Sequence, residues 1–128
     1  MAAGKYNFTI EQGTTTKFEV QYNDDDGTPI DLTSYQGRMQ IRSDYADFDS
    51  TLYATLSSSL AADGTGLNLR GIDGSKELTS GSIGVIISSA VTETFDFDEG
   101  VYDLELVTGT NVTRLLQGKV KISREVTR

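Results

Sequence analysis

Residues 100–128 have the pattern of a β-hairpin that runs to the last residue, and this pattern constrains the fold more than any other feature. Apolar and polar side chains alternate along both halves, as in strands with one buried face. A turn at Thr108-Gly109-Thr110-Asn111 separates the two halves. The residues predicted to face the core are Tyr102, Leu104, Leu106, Val120 and Ile122.

The outer faces of this hairpin carry charges of opposite sign. Asp103 and Glu105 alternate with the apolar residues of the first strand, and Lys119 and Lys121 with those of the second. We expect the two acidic residues to lie opposite the two lysines. Each exposed pair would stabilise the hairpin by about 0.2–1 kcal/mol. Pairs of this strength support a scaffold and do not by themselves indicate catalysis.

The rest of the chain predicts further short strands. Thirteen glycines and one proline are spread among Val, Ile, Thr, Tyr and Phe, a composition typical of strands joined by turns. A helical turn is expected within residues 89–98, and a long connection with one brief strand over 58–82. The other strands are expected at 6–11, 15–23, 36–43, 52–57 and 83–88. The sequence therefore predicts an all-β fold, a single antiparallel β-sandwich over residues 1–128, immunoglobulin-like and with about eight short strands, or alternatively a small barrel.

The composition limits the possible functions. The chain contains neither cysteine nor histidine, which excludes thiolate catalysis, cysteine-ligated zinc and triads built on imidazole. We therefore expect no enzymatic activity, no catalytic residue, no cofactor and no metal. The net charge of −8 opposes binding to nucleic acid and to anionic lipid. No run of about 18 apolar residues is present, so we expect no membrane partner. We also expect no small-molecule substrate.

Two polar segments have a superficial likeness to ligand sites. The Asn-Asp-Asp-Asp-Gly run at residues 23–27 contains carboxylates that could bind calcium, but Tyr22 and Thr33 stand where an EF-hand requires its first and last acidic ligands. The glycine-rich residues 63–74 lack the Lys-Ser/Thr ending of a phosphate-binding loop. We interpret the first segment as a hairpin turn and the second as a flexible connection.

Aromatic and arginine side chains are the candidate partner-binding residues. Tyr45, Phe48 and Tyr53 lie in or beside an acidic loop, where they could anchor a partner or cover an open end of the sandwich. Arg38 and Arg42 lie on the polar face of the predicted strand 36–43 and could dock to another protein or pair with carboxylates of this chain.

Four stretches resemble small structural proteins of tailed bacteriophages: FTIEQGTT, GTPIDLTSYQGRMQIR, IGVIISSAVTETF and the C-terminal hairpin. The opening is also similar to the immunoglobulin-like N-terminal domain of phage baseplate upper proteins. The resemblance covers most of residues 6–43 and 81–128 and contains no catalytic motif. It implies a virion component. The first 13 residues contain one lysine and no apolar stretch of signal-peptide length, so we expect the protein to be made in the host cytoplasm.

The larger baseplate proteins continue beyond the sandwich, whereas this sequence stops at Arg128. We therefore expect an adaptor at the tail, baseplate or neck rather than a complete receptor-binding fibre. Its partners would be other virion proteins, which it would contact in multiple symmetric copies. The alternatives are a capsid decoration protein, a carbohydrate-binding module and, in the enzymatic class, an accessory domain of a carboxylate-based glycosidase.

Overall fold

The computed structural model describes residues 4–44 and 50–124, and most of its regular structure is β. A 3₁₀ helix at Leu78–Ser80 and one turn of α-helix, α1 (Ser89–Thr92), lie in the connections. Within the described ranges, no helix is long and apolar enough to cross a bilayer. The strands are β1 (Gly4–Lys5), β2 (Phe8–Glu11), β3 (Thr16–Gln21), β4 (Gln36–Arg42), β5 (Leu52–Ser57), β6 (Gly66–Asn68), β7 (Ser82–Ile87), β8 (Glu99–Thr108) and β9 (Asn111–Ser123).

The strands form two sheets that pack face to face. The larger sheet has the order β1, β9, β8, β4, β5, and β2 pairs with the same edge of β9 as β1 does. The smaller sheet has the order β3, β7, β6. This is the strand order of an immunoglobulin-type sandwich whose larger sheet has an additional edge strand, here β5. The prediction of an all-β, immunoglobulin-like sandwich is confirmed.

The hydrophobic core lies between the sheets and forms one cluster within the described residues. All six residues of β7 are buried, as expected for the central strand of the smaller sheet. On β4, Met39 and Ile41 are buried, while Arg38 before them and Arg42 after them face outward. The predicted inward residues of the C-terminal hairpin, Tyr102, Leu104, Leu106, Val120 and Ile122, are all buried.

The N-terminal edge differs from the expected antiparallel arrangement. β1 and β2 both run parallel to β9, so the larger sheet is mixed. The segment after β2 crosses to the other sheet instead of closing a hairpin with β3. Hydrogen bonds to the segment 92–95 hold this crossing: Gln12 Nε2 donates to the Phe95 carbonyl at 2.7 Å, the Gly13 N–H donates to Thr92 Oγ1 at 3.1 Å, and Thr92 Oγ1 donates to the Thr14 carbonyl at 2.6 Å.

The predicted charge pairs of the C-terminal hairpin are wrong. The connection has only two residues, so pairing begins at Thr108 and Asn111, and the turn length fixes the register. A bulge after Leu104 shifts that register once more. The partners of Asp103 and Glu105 are therefore Gln117 and Arg114, and those of Lys119 and Lys121 are Val101 and Glu99.

Candidate functional site: the outer face of the larger sheet

The larger sheet has one face on the core and one, here called the outer face, turned away from it. Residues that pair directly across neighbouring strands share a face. Three rows of outward side chains therefore cross this sheet near its middle. The first contains Arg114, Glu105 and Arg38, the second Lys5, Gln117, Asp103 and Gln40, and the third Lys119, Val101, Arg42 and Leu52.

The two predicted arginines lie on this face, and hydrogen bonds hold both guanidinium groups. Arg38 Nε donates to Glu105 Oε1 at 2.8 Å. Arg42 Nε donates to Gln40 Oε1 at 3.0 Å, and its Nη1 donates to the Ser50 carbonyl at 3.2 Å. An arginine that is already oriented loses less side-chain entropy when a partner binds. The strand thus presents two positioned cations on one face, with Gln40 between them.

The acidic residues of β8 form a column between two sets of cations. Arg114 Nε lies 3.5 Å from Asp103 Oδ2 on one side, and Arg38 lies against Glu105 on the other. Partial burial and the neighbouring Glu105 carboxylate raise the pKa of Asp103. The positive charge of Arg114 acts in the opposite direction but does not cancel this effect. Asp103 is therefore partly withdrawn from water, which carries an energetic cost for its ionised form.

Shallow grooves run between these rows. One groove, of about 370 Å³, lies over β4 and β8 and is lined by Arg38, Gln40, Thr55, Asp103 and Glu105. Its lining combines guanidinium, amide and carboxylate groups, which suits hydrogen bonding and ion pairing with another surface. Within residues 4–44 and 50–124, no group of acidic residues has the arrangement of a metal site. The groups that line this groove can form hydrogen bonds and ion pairs with a partner surface.

Of the three predicted aromatic residues, only Tyr53 falls within the described ranges, and it does not join the arginines on this face. Tyr53 is partly buried against the core, and its ring stacks on Phe97 with centroids 3.8 Å apart and planes at 3°. Tyr53 thus packs against the core, and its role in partner binding stays a prediction. Tyr45 and Phe48 lie outside the described residues, so their role in partner binding stays a prediction.

Two exposed apolar residues on the outer face were not identified from the sequence. Leu52 is 45% exposed and lies opposite Arg42, whereas the alternation of Leu52, Ala54 and Leu56 suggests one buried face. A bulge between Ile41 and Arg42 in the β4–β5 pairing reverses the side on which Leu52 lies. Bulge positions have no reliable sequence signal. Val112, near the hairpin turn, is 49% exposed.

The two segments that resembled ligand sites are turns held by their own carboxylates. Asp24 Oδ1 accepts hydrogen bonds from the backbone N–H groups of Asp26 and Thr28, both at 2.9 Å. In the glycine-rich segment, Asp63 accepts from the Thr65 N–H at 2.9 Å and from the Ser88 hydroxyl at 2.7 Å. These two bonds lower the pKa of Asp63. The hairpin-turn interpretation of residues 23–27 is confirmed.

Comparison with known proteins informs the fold alone. No family model matches the chain, and no curated protein matches it. Among solved structures, a marsupial T cell receptor matches with a TM-score of 0.50 and 13% sequence identity. The match covers 95% of this chain and 51% of the receptor chain, so this chain spans about half the length of that structure. At this identity the likeness supports the immunoglobulin-like sandwich.

Proposed function

We propose that this protein is a non-catalytic structural adaptor of a tailed-phage particle. It acts through protein–protein contact, in multiple symmetric copies, at the tail, baseplate or neck. The observation that carries the proposal is the outer face of the larger sheet, on which Arg38 and Arg42 are held in place beside the acidic column of Asp103 and Glu105. The resemblance of the sequence to phage structural proteins supports the proposed location in a phage particle.

The chemistry of the outer face suits a protein partner. Arginine is enriched among the residues that dominate interfaces, where the central few contribute about 2 kcal/mol or more each. The outer face also combines apolar Leu52 with polar Gln40 and Thr55, as interfaces with a mixed rim do. Partial desolvation of Asp103 lowers the further cost of covering it with a partner.

The test is to locate the chain in purified infectious particles by mass spectrometry and electron microscopy. We expect copies in multiples of three or six at the tail, baseplate or neck. Hundreds of copies on the capsid would instead indicate a decoration protein and contradict the proposed position. Absence from intact particles, with presence only in infected cells, would contradict the adaptor role itself.

A pair of variants tests the surface. In a phage that lacks the gene, the protein is supplied as Arg38→Gln/Arg42→Gln or as the control Lys17→Gln/Arg70→Gln, which makes the same change in net charge at exposed positions elsewhere. We expect the arginine double variant to be incorporated at least about tenfold less, at an unchanged melting temperature. Equal incorporation of the two variants would show that the outer arginines are not the docking surface.

A further inference from the structure

A second groove lies at the N-terminal edge of the outer face, where β1 pairs with β9. Its volume is about 490 Å³, larger than that of the groove over β4 and β8. Volumes of this size are typical of sites that hold several groups of a ligand. The groove is lined by Lys5, Asn7, Arg114, Gln117, Gly118 and Lys119.

The lining of this groove is cationic although the chain is acidic overall. Three of the lining residues carry positive charge and none carries negative charge, in a protein with a net charge of −8. Lys5 and Lys119 are exposed, and they make no ion pair with any carboxylate in the described parts of the chain. Arg114 differs from the two lysines, because its Nε forms an ion pair with Asp103 Oδ2 at 3.5 Å. The groove is a local positive field.

The backbone around the groove is fixed. The Tyr6 carbonyl lies over Gly118 so closely that a Cβ there would be 2.0 Å from the oxygen. Asn7 Oδ1 accepts the Lys119 N–H at 2.9 Å, and this bond leaves the side-chain amide nitrogen of Asn7 as a donor. The lining is therefore rich in positive charge and hydrogen-bond donors, on a platform that needs little rearrangement to bind.

We propose that this groove binds an acidic, extended segment of a partner protein. Carboxylates match the three cations and the amide donors, and the groove has room for several of them. A long polyanion such as nucleic acid is disfavoured because the net charge of −8 repels it outside the groove. This inference rests on the proposed function in that the partner is a protein.

Binding is measured on the purified full chain with a fluorescein-labelled octaglutamate peptide, by fluorescence anisotropy at low and high ionic strength. We expect saturable binding that weakens with salt, and none for an uncharged octaglutamine peptide. Lys5→Gln/Lys119→Gln should weaken binding by about 3- to 30-fold, because each exposed pair contributes modestly. The control Lys17→Gln/Arg70→Gln removes the same charge elsewhere and should leave the affinity unchanged within about twofold.

Equal losses in the two double variants would overturn the assignment, since attraction would then be a matter of net charge. Competition by inorganic phosphate as effective as competition by unlabelled octaglutamate would also overturn it, in favour of a small-anion site. The outcomes are separable from those of the proposed function. If the protein is absent from virions while the lysine-dependent binding persists, the adaptor role fails. If it is present in virions while the lysine variant binds normally, the groove assignment alone fails.

Discussion

At the scale of single residues, Gly118 determines how the N-terminal segment joins the larger sheet. The Tyr6 carbonyl occupies the space that a side chain at position 118 would need, and the Tyr102 hydroxyl donates to the same carbonyl at 2.6 Å. Tyr6 and Asn7 separate β1 from β2, and a buried tyrosine on β8 holds the Tyr6 carbonyl in place. The only residue type that permits this approach is glycine.

Gly118→Ala should therefore destabilise the protein. The added Cβ would meet backbone rather than a flexible side chain, so we expect a loss of about 1–3 kcal/mol in the free energy of unfolding, with earlier proteolysis of the N-terminal segment. The control is Gly4→Ala, where the nearest atom to a new Cβ is Leu116 Cδ1 at an ordinary 3.5 Å. Urea denaturation measures both. Similar losses at the two positions would show that the close approach of the Tyr6 carbonyl does not require glycine at position 118.

The raised pKa of Asp103 makes the stability of the folded protein depend on pH. Because the folded-state pKa is raised, the folded protein binds a proton more tightly than the unfolded chain, and stability increases as pH falls through the range just above 3.8. Asp103→Asn removes the ionised form. We expect a higher melting temperature than that of the natural protein at pH 7, with the difference shrinking as pH falls through that range.

Asp63→Asn is the control of opposite sign. Its hydrogen bonds lower the folded-state pKa of Asp63, so its contribution to stability is present above about pH 3.8 and is lost as pH falls through the folded value. This variant should melt lower at pH 7 and converge with the natural protein in acid. A pH-independent difference in melting temperature for Asp103→Asn would attribute the effect to packing and contradict the electrostatic account.

At the scale of elements, alternation predicts faces well and pairings poorly. β4 and β5 begin within the predicted segments and end within one residue of them, and the core-facing residues of the C-terminal hairpin are confirmed. The partners of Asp103 and Glu105 were predicted wrongly, because alternation is the same for any register that differs by two residues. Bulges add a second source of error, and one of them turns Leu52 outward.

The register of β8 can be tested by two substitutions at neighbouring positions. Leu104→Ala should cost about 2–5 kcal/mol of unfolding free energy, since the side chain is fully buried. Glu105→Ala removes an ion pair with Arg38, whose side chain is 55% exposed, and should cost less than about 1 kcal/mol. Chemical denaturation gives both values, and equal costs would mean that β8 has the opposite face inward.

At the scale of the whole molecule, the sequence predicts part of the candidate site. The outward position of Arg38 and Arg42 follows from the alternation of one strand. The position of the groove between β1 and β9 does not follow, because a parallel pairing of strands far apart in the sequence brings Lys5 into the same groove as Lys119. Local patterns contain no information on which edge a terminal strand joins. The candidate site was therefore predictable within strands and not between them.

The single core predicts the behaviour of the folded protein as a unit. Because the core residues of both sheets form one cluster, we expect one cooperative thermal transition that coincides in far-ultraviolet circular dichroism and in tyrosine fluorescence. Two separate transitions would contradict the single cooperative unit.

Calcium should leave the midpoint of the thermal transition unchanged, since Asp24 already accepts hydrogen bonds from two backbone N–H groups of its own turn. A ligand that binds only the native state raises the midpoint by mass action. The scans are run with excess calcium and with chelator. A rise of many degrees in the melting temperature with calcium would reveal a cation site and contradict the interpretation of residues 23–27 as a turn alone.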